Sequence, residues 1–550
     1  MRLLAVPPTS LFTPQTPSSH SLSDYRTLLR WQGRLQNTGP VRHQPRAFLT
    51  MTDKINRQNF FPLALMGAIV FFGLLWLLDF PKPGYDDLFS TGAALNLAEG
   101  GDFSSPLIAR QEFPGHFYYV HPPLYSYTLA GWLKVLGISA AAATGFQMLM
   151  FIIIAAATIA ILRRYQAPVW LEWLVPLGVS ITLLPMGLRY DAFSIALTMA
   201  GFALIECGFT GGLSVFVAFL LMFLGASVTP RLTLFSAALI LLAGYHLWRD
   251  SSAVGWRRWT FCGLGVGALL LTWFVLLWMI GFHVGDYYAT YHYHVTNLVS
   301  IGKLKLMAPF FLSQRYTAWP VWAVFLGVLF LSLRRPKDRL TQIGFLMALT
   351  FPAVAAIGGL SPDCVWYMIL ALFVMAGSLL KTISRCQSIF LGTALCVTLL
   401  MASFKTGLNM LGIVTGQIKA DMGELRAQAL ALRPTPEHPL LIDTTVARYL
   451  YDYRIPAGCI DIGFAAPFPD EFVTTADLRL DDIYVTGTGI MLGLERDTYL
   501  PPTPVEYWNP VHFSLWSFNR YPRKIVIIHP EECKGLRLDS PIVAGRRHHK

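Results

Sequence analysis

Two adjacent aspartates, Asp86 and Asp87, stand in the stretch GYDDLFSTGAALNLAEGGD, just after an apolar run that Pro81-Lys82-Pro83-Gly84 brings to an end. Carboxylates at the start of a helix have an ordinary explanation, because they complement the helix dipole. They also have a chemical one: a carboxylate fixed at a membrane surface can take the proton from an acceptor hydroxyl as its oxygen attacks. Other polar sets far along the chain could share such a site. His121 precedes Pro122-Pro123, Arg189-Tyr190-Asp191 separates two apolar runs, and Ser361-Pro362-Asp363 separates two others, with Trp366 and Tyr367 close behind. Taken singly, each is equally a helix cap or a loop residue, and for Asp363 that reading is preferred.

A longer polar stretch, about 282–316, carries Lys303, Lys305 and Arg315. These cations could hold a lipid phosphate, or they could simply anchor helices at an interface. His292 and His294 in the same stretch would lie on one side of a strand. No third ligand accompanies them, which disfavours zinc. The sequence makes no cofactor certain and leaves a divalent metal ion open.

The elements that must position these residues are membrane spans. Of 550 residues, 54% are hydrophobic and 14% charged, with a mean hydropathy of +0.48. Soluble domains carry roughly 25% charged residues. Runs such as Phe61–Phe80, Leu213–Val228 and Phe261–Ile280 approach the roughly 20 residues a helix needs to cross a bilayer core. In lipid the backbone must be satisfied within its own segment, so these runs are helices. The net charge of +11 does not indicate nucleic acid. The cations collect in short loops, at Arg163-Arg164, Arg257-Arg258, Arg334-Arg335 with Lys337 and Arg339, and Lys381 with Arg385. That is the pattern of cytoplasmic loops, and a continuous basic patch interleaved with aromatics is missing.

Placing every basic loop on the cytoplasmic side threads the chain through about eleven spans. They lie near 61–80, 140–162, 168–186, 191–208, 213–228, 232–248, 260–281, 317–333, 341–358, 364–380 and 388–410. The stretch PPLYSYTLAGWLKVLG at 122–137 is short and carries Lys134. Were it to cross, Arg163-Arg164 and the later basic loops would all move outside. It therefore reads as an amphipathic helix lying on the outer surface. Residues 81–139 then form one external loop with two surface helices, about 87–99 and 123–136. The expected fold is an all-α polytopic membrane protein occupying 51–411.

The two ends differ. Residues 1–50 are rich in Pro, Ser, Thr and Arg, with Asp24 the only acid, and cannot bury a core. They resemble a transit peptide in composition, or they are an upstream extension with Met51 as the start, which is the preferred reading. From 412 to 550 the pattern becomes that of a small soluble α/β domain outside the membrane. PLLIDTT, DDIYVTG and KIVIIHP read as strands and VARYLYDYR as a helix. Of seven cysteines, none has metal or redox spacing. Cys459 and Cys533 lie in this domain, where a disulfide and two free thiols are both compatible with the sequence.

The stretches YDD…ALNLAEGGDF, HPPLYSYTLAGWLKVLG and RYDAF resemble motifs of the GT-C superfamily of integral-membrane glycosyltransferases, particularly its protein O-mannosyltransferase and lipid A aminoarabinose transferase branch. The resemblance spans about 60–210. The family usually has Asp-Glu where this chain has Asp86-Asp87, often Lys where it has His121, and Arg-Pro-Asp where it has Arg189-Tyr190-Asp191. The resemblance implies catalysis by Asp86 as general base, with Asp87 beside it. It implies a polyprenyl-phosphate-linked sugar as donor and an extracytoplasmic lipid, glycan or protein as acceptor, joined with inversion. His121, Arg189, Asp191, Lys303, Lys305, Arg315 and Tyr367 become expected substrate-binding residues. The implied location is a bacterial inner membrane with the site on its periplasmic face. The sequence carries no Rossmann glycine fingerprint for a nucleotide-sugar donor. The rival class is a transporter or lipid flippase, for which internal repeats and broken mid-membrane helices are expected and not found in the sequence. A non-catalytic scaffold is the third reading.

Overall fold

The computed structural model describes residues 50–78, 87–103, 123–183, 187–250, 255–281, 283–289, 292, 319–357, 368–381 and 383–414, with four short strands beyond. Residues 1–59 and 60–550 form two units, and all contacts described below lie in the second.

Thirteen helices of 12 residues or more lie among the described residues up to 414. They are α1 (Thr50–Leu77), α2 (Asp87–Ala98), α3 (Leu124–Leu136), α4 (Ala140–Arg164), α5 (Val169–Leu183), α6 (Asp191–Glu206), α7 (Gly212–Val228), α8 (Pro230–Asp250), α9 (Gly255–Ile280), α10 (Trp319–Ser332), α11 (Arg339–Ile357), α12 (Met368–Leu380) and α13 (Arg385–Val414). Each of the eleven expected spans coincides with one of them, and α2 and α3 coincide with the two expected surface helices. One boundary moves clearly. The first helix starts at Thr50 rather than near residue 61, because Thr50–Phe60 is polar but contains no glycine or proline to stop it.

Among the described residues three helices, Ala140–Arg164, Leu232–Asp250 and Gly255–Ile280, are long and apolar enough to cross a membrane, and several shorter ones are apolar. At ~1.5 Å per residue, α9 extends about 39 Å, beyond the roughly 30 Å of a bilayer core. Its packing shows what surrounds it. Only Ala268, Thr272 and Ile280 of α9 are buried, a single stripe against α7 and α8. Trp256, Trp259, Leu270, Trp273, Phe274 and Trp278 are exposed. In water such a face would be an aggregation site, whereas lipid satisfies it. The centre of the bundle is closed instead by buried aromatics from many helices, among them Phe72, Phe151, Phe202, Phe235 and Phe373.

Side-chain contacts reveal which helix ends lie together. Tyr165 beyond α4 meets Glu206 at the end of α6, Glu206 meets His246 of α8, and Asp250 meets Arg339 at the start of α11. Lys381 beyond α12 sits 5.8 Å from the Tyr165 ring centroid, and Arg258 of α9 sits 5.1 Å from that of Trp248. One end of the bundle thus gathers the basic connections, as alternating crossings require.

Beyond the helices, β1 (Leu440–Asp443) pairs in parallel with β2 (Ala457–Ile460), and β3 (Val505–Tyr507) pairs antiparallel with β4 (Arg523–Ile525). Strands β1 and β4 fall within PLLIDTT and at the start of KIVIIHP. DDIYVTG, VARYLYDYR, Cys533 and the side chain of Cys459 lie outside the described residues.

Candidate functional site at the acidic end of the bundle

The end opposite the basic connections is built from α2, α3, the start of α4 and the turn before α6. Helix α2 opens on Asp87. It closes in a turn that accounts for the residues following it. Asn96 Nδ2 donates to the Asp102 carbonyl at 3.0 Å and approaches Asp102 Oδ1 at 3.3 Å, while the Gly101 N–H returns to the Asn96 carbonyl at 2.9 Å. Gly100 has φ +93°, a conformation that favours glycine. The turn delivers Phe103, which is buried and stacked on Tyr127 of α3 with ring centroids 5.8 Å apart. In this way the segment after the acids is pinned to α3, and α2 packs along α3.

Helix α3 is tied to the bundle near both its ends. The Tyr125 hydroxyl donates to the Leu188 carbonyl at 2.7 Å. Two turns later, the Trp132 Nε1–H donates to the Ala142 carbonyl at 2.8 Å. Leu188 precedes α6 and Ala142 lies in the first turn of α4, so both anchors belong to the same end of the bundle. A helix crossing the bilayer would put its termini at opposite ends. Trp76 of α1 adds its indole N–H to the Ala141 carbonyl at 2.9 Å, and Ser139 caps α4 by accepting from the Ala142 N–H at 3.1 Å.

The turn from Gly187 to Tyr190 carries the charged pair. Arg189 Nε lies 2.8 Å from Asp191 Oδ2, and the two side chains are 5% and 0% exposed. Asp191 is the first residue of α6, at the positive end of the helix dipole. Among the described residues, neither Asp191 oxygen has an aligned hydrogen-bond donor, so the guanidinium acts on it as a charge. Gln147 of α4 supports the turn, its Nε2 donating to the Gly187 carbonyl at 3.1 Å and reaching the Arg189 carbonyl at 3.5 Å. Around Tyr125, the rings of Phe146, Tyr190 and Phe193 pack with centroids 6.0 to 6.3 Å away.

Of the site residues expected from sequence, the structure brings Arg189 and Asp191 together and starts α2 at Asp87. Asp86, the Asp87 side chain, His121, Lys303, Lys305, Arg315 and Tyr367 lie outside the described residues. So do Asp363 and His294. Among the described residues no group of three or more His, Cys, Asp or Glu side chains is placed to hold a metal ion. Sequence reading passed over Tyr125 and Gln147. For Gln147 a signal existed, since an amide inside the apolar run of α4 must find partners within the bundle.

The other end holds a second polar cluster that sequence reading did not assemble. Glu206 is 0% exposed as a side chain and receives His246 Nδ1 at 2.6 Å on Oε1, with the Tyr165 hydroxyl on Oε2. Burial, reinforced by the negative charge of Glu206, pushes the Tyr165 hydroxyl well above its ordinary range, so it stays protonated and donates. Burial also pulls the Lys381 ammonium below its ordinary range, with Asp338 opposing.

The helical architecture, the lipid-suited face of α9 and the gathered basic end define a polytopic helical membrane protein. No protein-family model and no curated protein matches the chain. Among solved structures it is similar to the crystal structure of ArnT from Cupriavidus metallidurans bound to undecaprenyl phosphate, at 14% identity over 72% of this chain and 86% of that one, with a TM-score of 0.47.

Proposed function

We propose that the chain is a membrane glycosyltransferase that moves a sugar from a polyprenyl-phosphate donor to an extracytoplasmic lipid, glycan or protein. The observation that carries this reading is that α2, which opens on Asp87, packs along α3, while α3 is bonded to the turn bearing the buried Arg189–Asp191 pair. Three motifs distant in sequence thereby meet at one end of the bundle, which a shared site requires. Asp86 acts as general base with Asp87 beside it. The acceptor oxygen attacks the anomeric carbon from the face opposite the phosphate, its proton passes to Asp86, and the carbon–oxygen bond to phosphate breaks with inversion. Polyprenyl phosphate leaves with both bonding electrons, and cations stabilise it. Arg189, Lys303, Lys305 and Arg315 supply that charge, Asp191 orients Arg189, and His121 and Tyr367 line the donor site. The membrane is a bacterial inner membrane and the site faces the periplasm.

The test is reconstitution of the purified chain in liposomes with polyprenyl-phosphate-linked hexoses and pentoses, radiolabelled in the sugar, and an extract of envelope lipids, glycans and proteins. Transfer of label to the extract with release of polyprenyl phosphate is expected. Intact donor throughout the sugar panel, with correctly folded protein, would sink the reading.

A further inference from the structure

Three consecutive carbonyls of the 187–190 turn are held by side chains from other helices. Gln147 of α4 reaches those of Gly187 and Arg189, and Tyr125 of α3 donates to that of Leu188 at 2.7 Å in a buried setting. A turn ordinarily leaves such carbonyls to water or to its own backbone. Here they are fixed from outside, so the peptide planes on either side of Arg189 have fixed orientations, and with them the direction in which its side chain leaves the backbone. Asp191 then holds the guanidinium from the next helix. The donor on Leu188 comes from α3, the helix that also carries the segment after Asp87 through the Phe103–Tyr127 stack.

We infer that Tyr125 and Gln147 are positioning residues that fix the direction of Arg189, with the Tyr125 hydroxyl coupling the turn before α6 to α3. This rests on the proposed transfer reaction for its kinetic consequence, but its geometric content stands without it. Neither residue touches substrate. Loss of the Tyr125 hydroxyl leaves the ring packed among Phe146, Tyr190 and Phe193 and removes its bond to the Leu188 carbonyl, so the turn loosens while the core stays filled.

The experiment compares the full-length chain with Tyr125→Phe, Gln147→Met and the double variant in detergent, by two measurements. The first is modification of Arg189 by phenylglyoxal, followed by peptide mass spectrometry. In the unaltered chain Arg189 is 4% exposed and reacts slowly. Each single variant is expected to react about 5-fold faster, and the double variant faster again, with the thermal midpoint falling by no more than the lost hydrogen bonds account for. The second is donor kinetics, in which Tyr125→Phe is expected to raise KM for the polyprenyl-phosphate donor about 5-fold with kcat within about 2-fold, the signature of a weakened ground-state contact. Unchanged Arg189 reactivity in all three variants overturns the positioning role. Reactivity that rises only in step with a falling thermal midpoint also overturns it, since that is general loosening. If the unaltered chain transfers no sugar, the proposed function fails, and the modification data decide the positioning role alone.

Discussion

Arg189 Nε stands 2.8 Å from Asp191 Oδ2, with both side chains withdrawn from solvent. Such a pair is costly to bury and more costly to break. Asp191→Asn removes a counter-charge from a buried guanidinium and is expected to destabilise the protein by about 3 kcal/mol. Replacing both partners by apolar residues, Arg189→Met with Asp191→Leu, is expected to restore much of that stability. Thermal midpoints in detergent for the two singles and the double check this. Additive losses would mean that the pair does not act as a unit. Transfer activity is expected to be low in all three, because the double variant recovers the fold without the cation.

The proposed chemistry makes its own demand on the first external loop. Asp86→Asn removes a base without removing volume, and transfer is expected to fall about 100-fold or more. The thermal midpoint should stay where it was. Arg315→Ala is expected to raise KM for the donor about 10-fold with little change in kcat, as loss of one phosphate contact would. An unchanged KM would make Arg315 an interfacial anchor.

Much of the architecture was legible in the sequence for a simple reason. Apolar runs of span length punctuated by arginine pairs leave few ways to thread a bilayer, and α4 to α13 follow that threading. What stayed hidden are pairings. Tyr125 and Leu188 are 63 residues apart, and Glu206 and His246 are 40 apart. Periodicity shows which face of a helix is polar but not what faces it. Glu206, His246 and Gln147 were nonetheless conspicuous as polar residues in apolar runs, where an unpartnered group is expensive. Tyr125 gave no such signal, since its ring suits the apolar face of α3 and only its hydroxyl marks it.

The basic end supplies a stability prediction. Glu206 accepts from both Tyr165 and His246, each on a different oxygen. Tyr165→Phe removes one donor and is expected to cost about 1 kcal/mol. Glu206→Ala removes the acceptor of the buried His246 and of the half-buried Tyr165 hydroxyl at once and is expected to cost about 3 kcal/mol. In the Glu206→Ala background, Tyr165→Phe should cost less than in the unaltered chain, because one partner of its hydroxyl is already gone while Arg339 remains. A double-mutant cycle on thermal midpoints measures this, and a full second penalty would show that the Tyr165 hydroxyl works elsewhere.

Helix α6, which joins the two polar ends, packs tightly on α7 through glycine. A Cβ on Gly201 would run into the backbone carbonyl of Ala218, and one on Gly225 into Thr198 and the Ser194 carbonyl. Backbone cannot yield as a flexible side chain can, so Gly201→Ala is expected to cost about 1–3 kcal/mol. Gly244 of α8 has open space where its Cβ would be, and Gly244→Ala there is expected to be neutral or to stabilise by up to about 1 kcal/mol. Equal effects at the two positions would mean that helix propensity rather than close packing governs both.

The sidedness of the acidic loop can be decided by parity. Of the described helices between Asp86 and Cys386, α2 and α3 are read as surface helices and nine, α4 to α12, as spans. If each crosses the membrane and α3 does not, the number of crossings is odd and the two positions face opposite compartments. If α3 also crosses, the number is even and they face the same one. Cys386 is an exposed cysteine at the start of α13, beside the basic connection at Lys381, whereas Cys262 faces lipid from within α9 and is expected to react poorly. An impermeant maleimide is therefore expected to label Cys386 only in inside-out vesicles. A cysteine introduced at position 86, with Cys386 replaced by serine, is expected to label only in right-side-out vesicles. Labelling of both from the same side would make α3 a span, contrary to its two anchors at Leu188 and Ala142. Labelling of position 86 from the cytosolic side alone would remove the acids from any periplasmic chemistry.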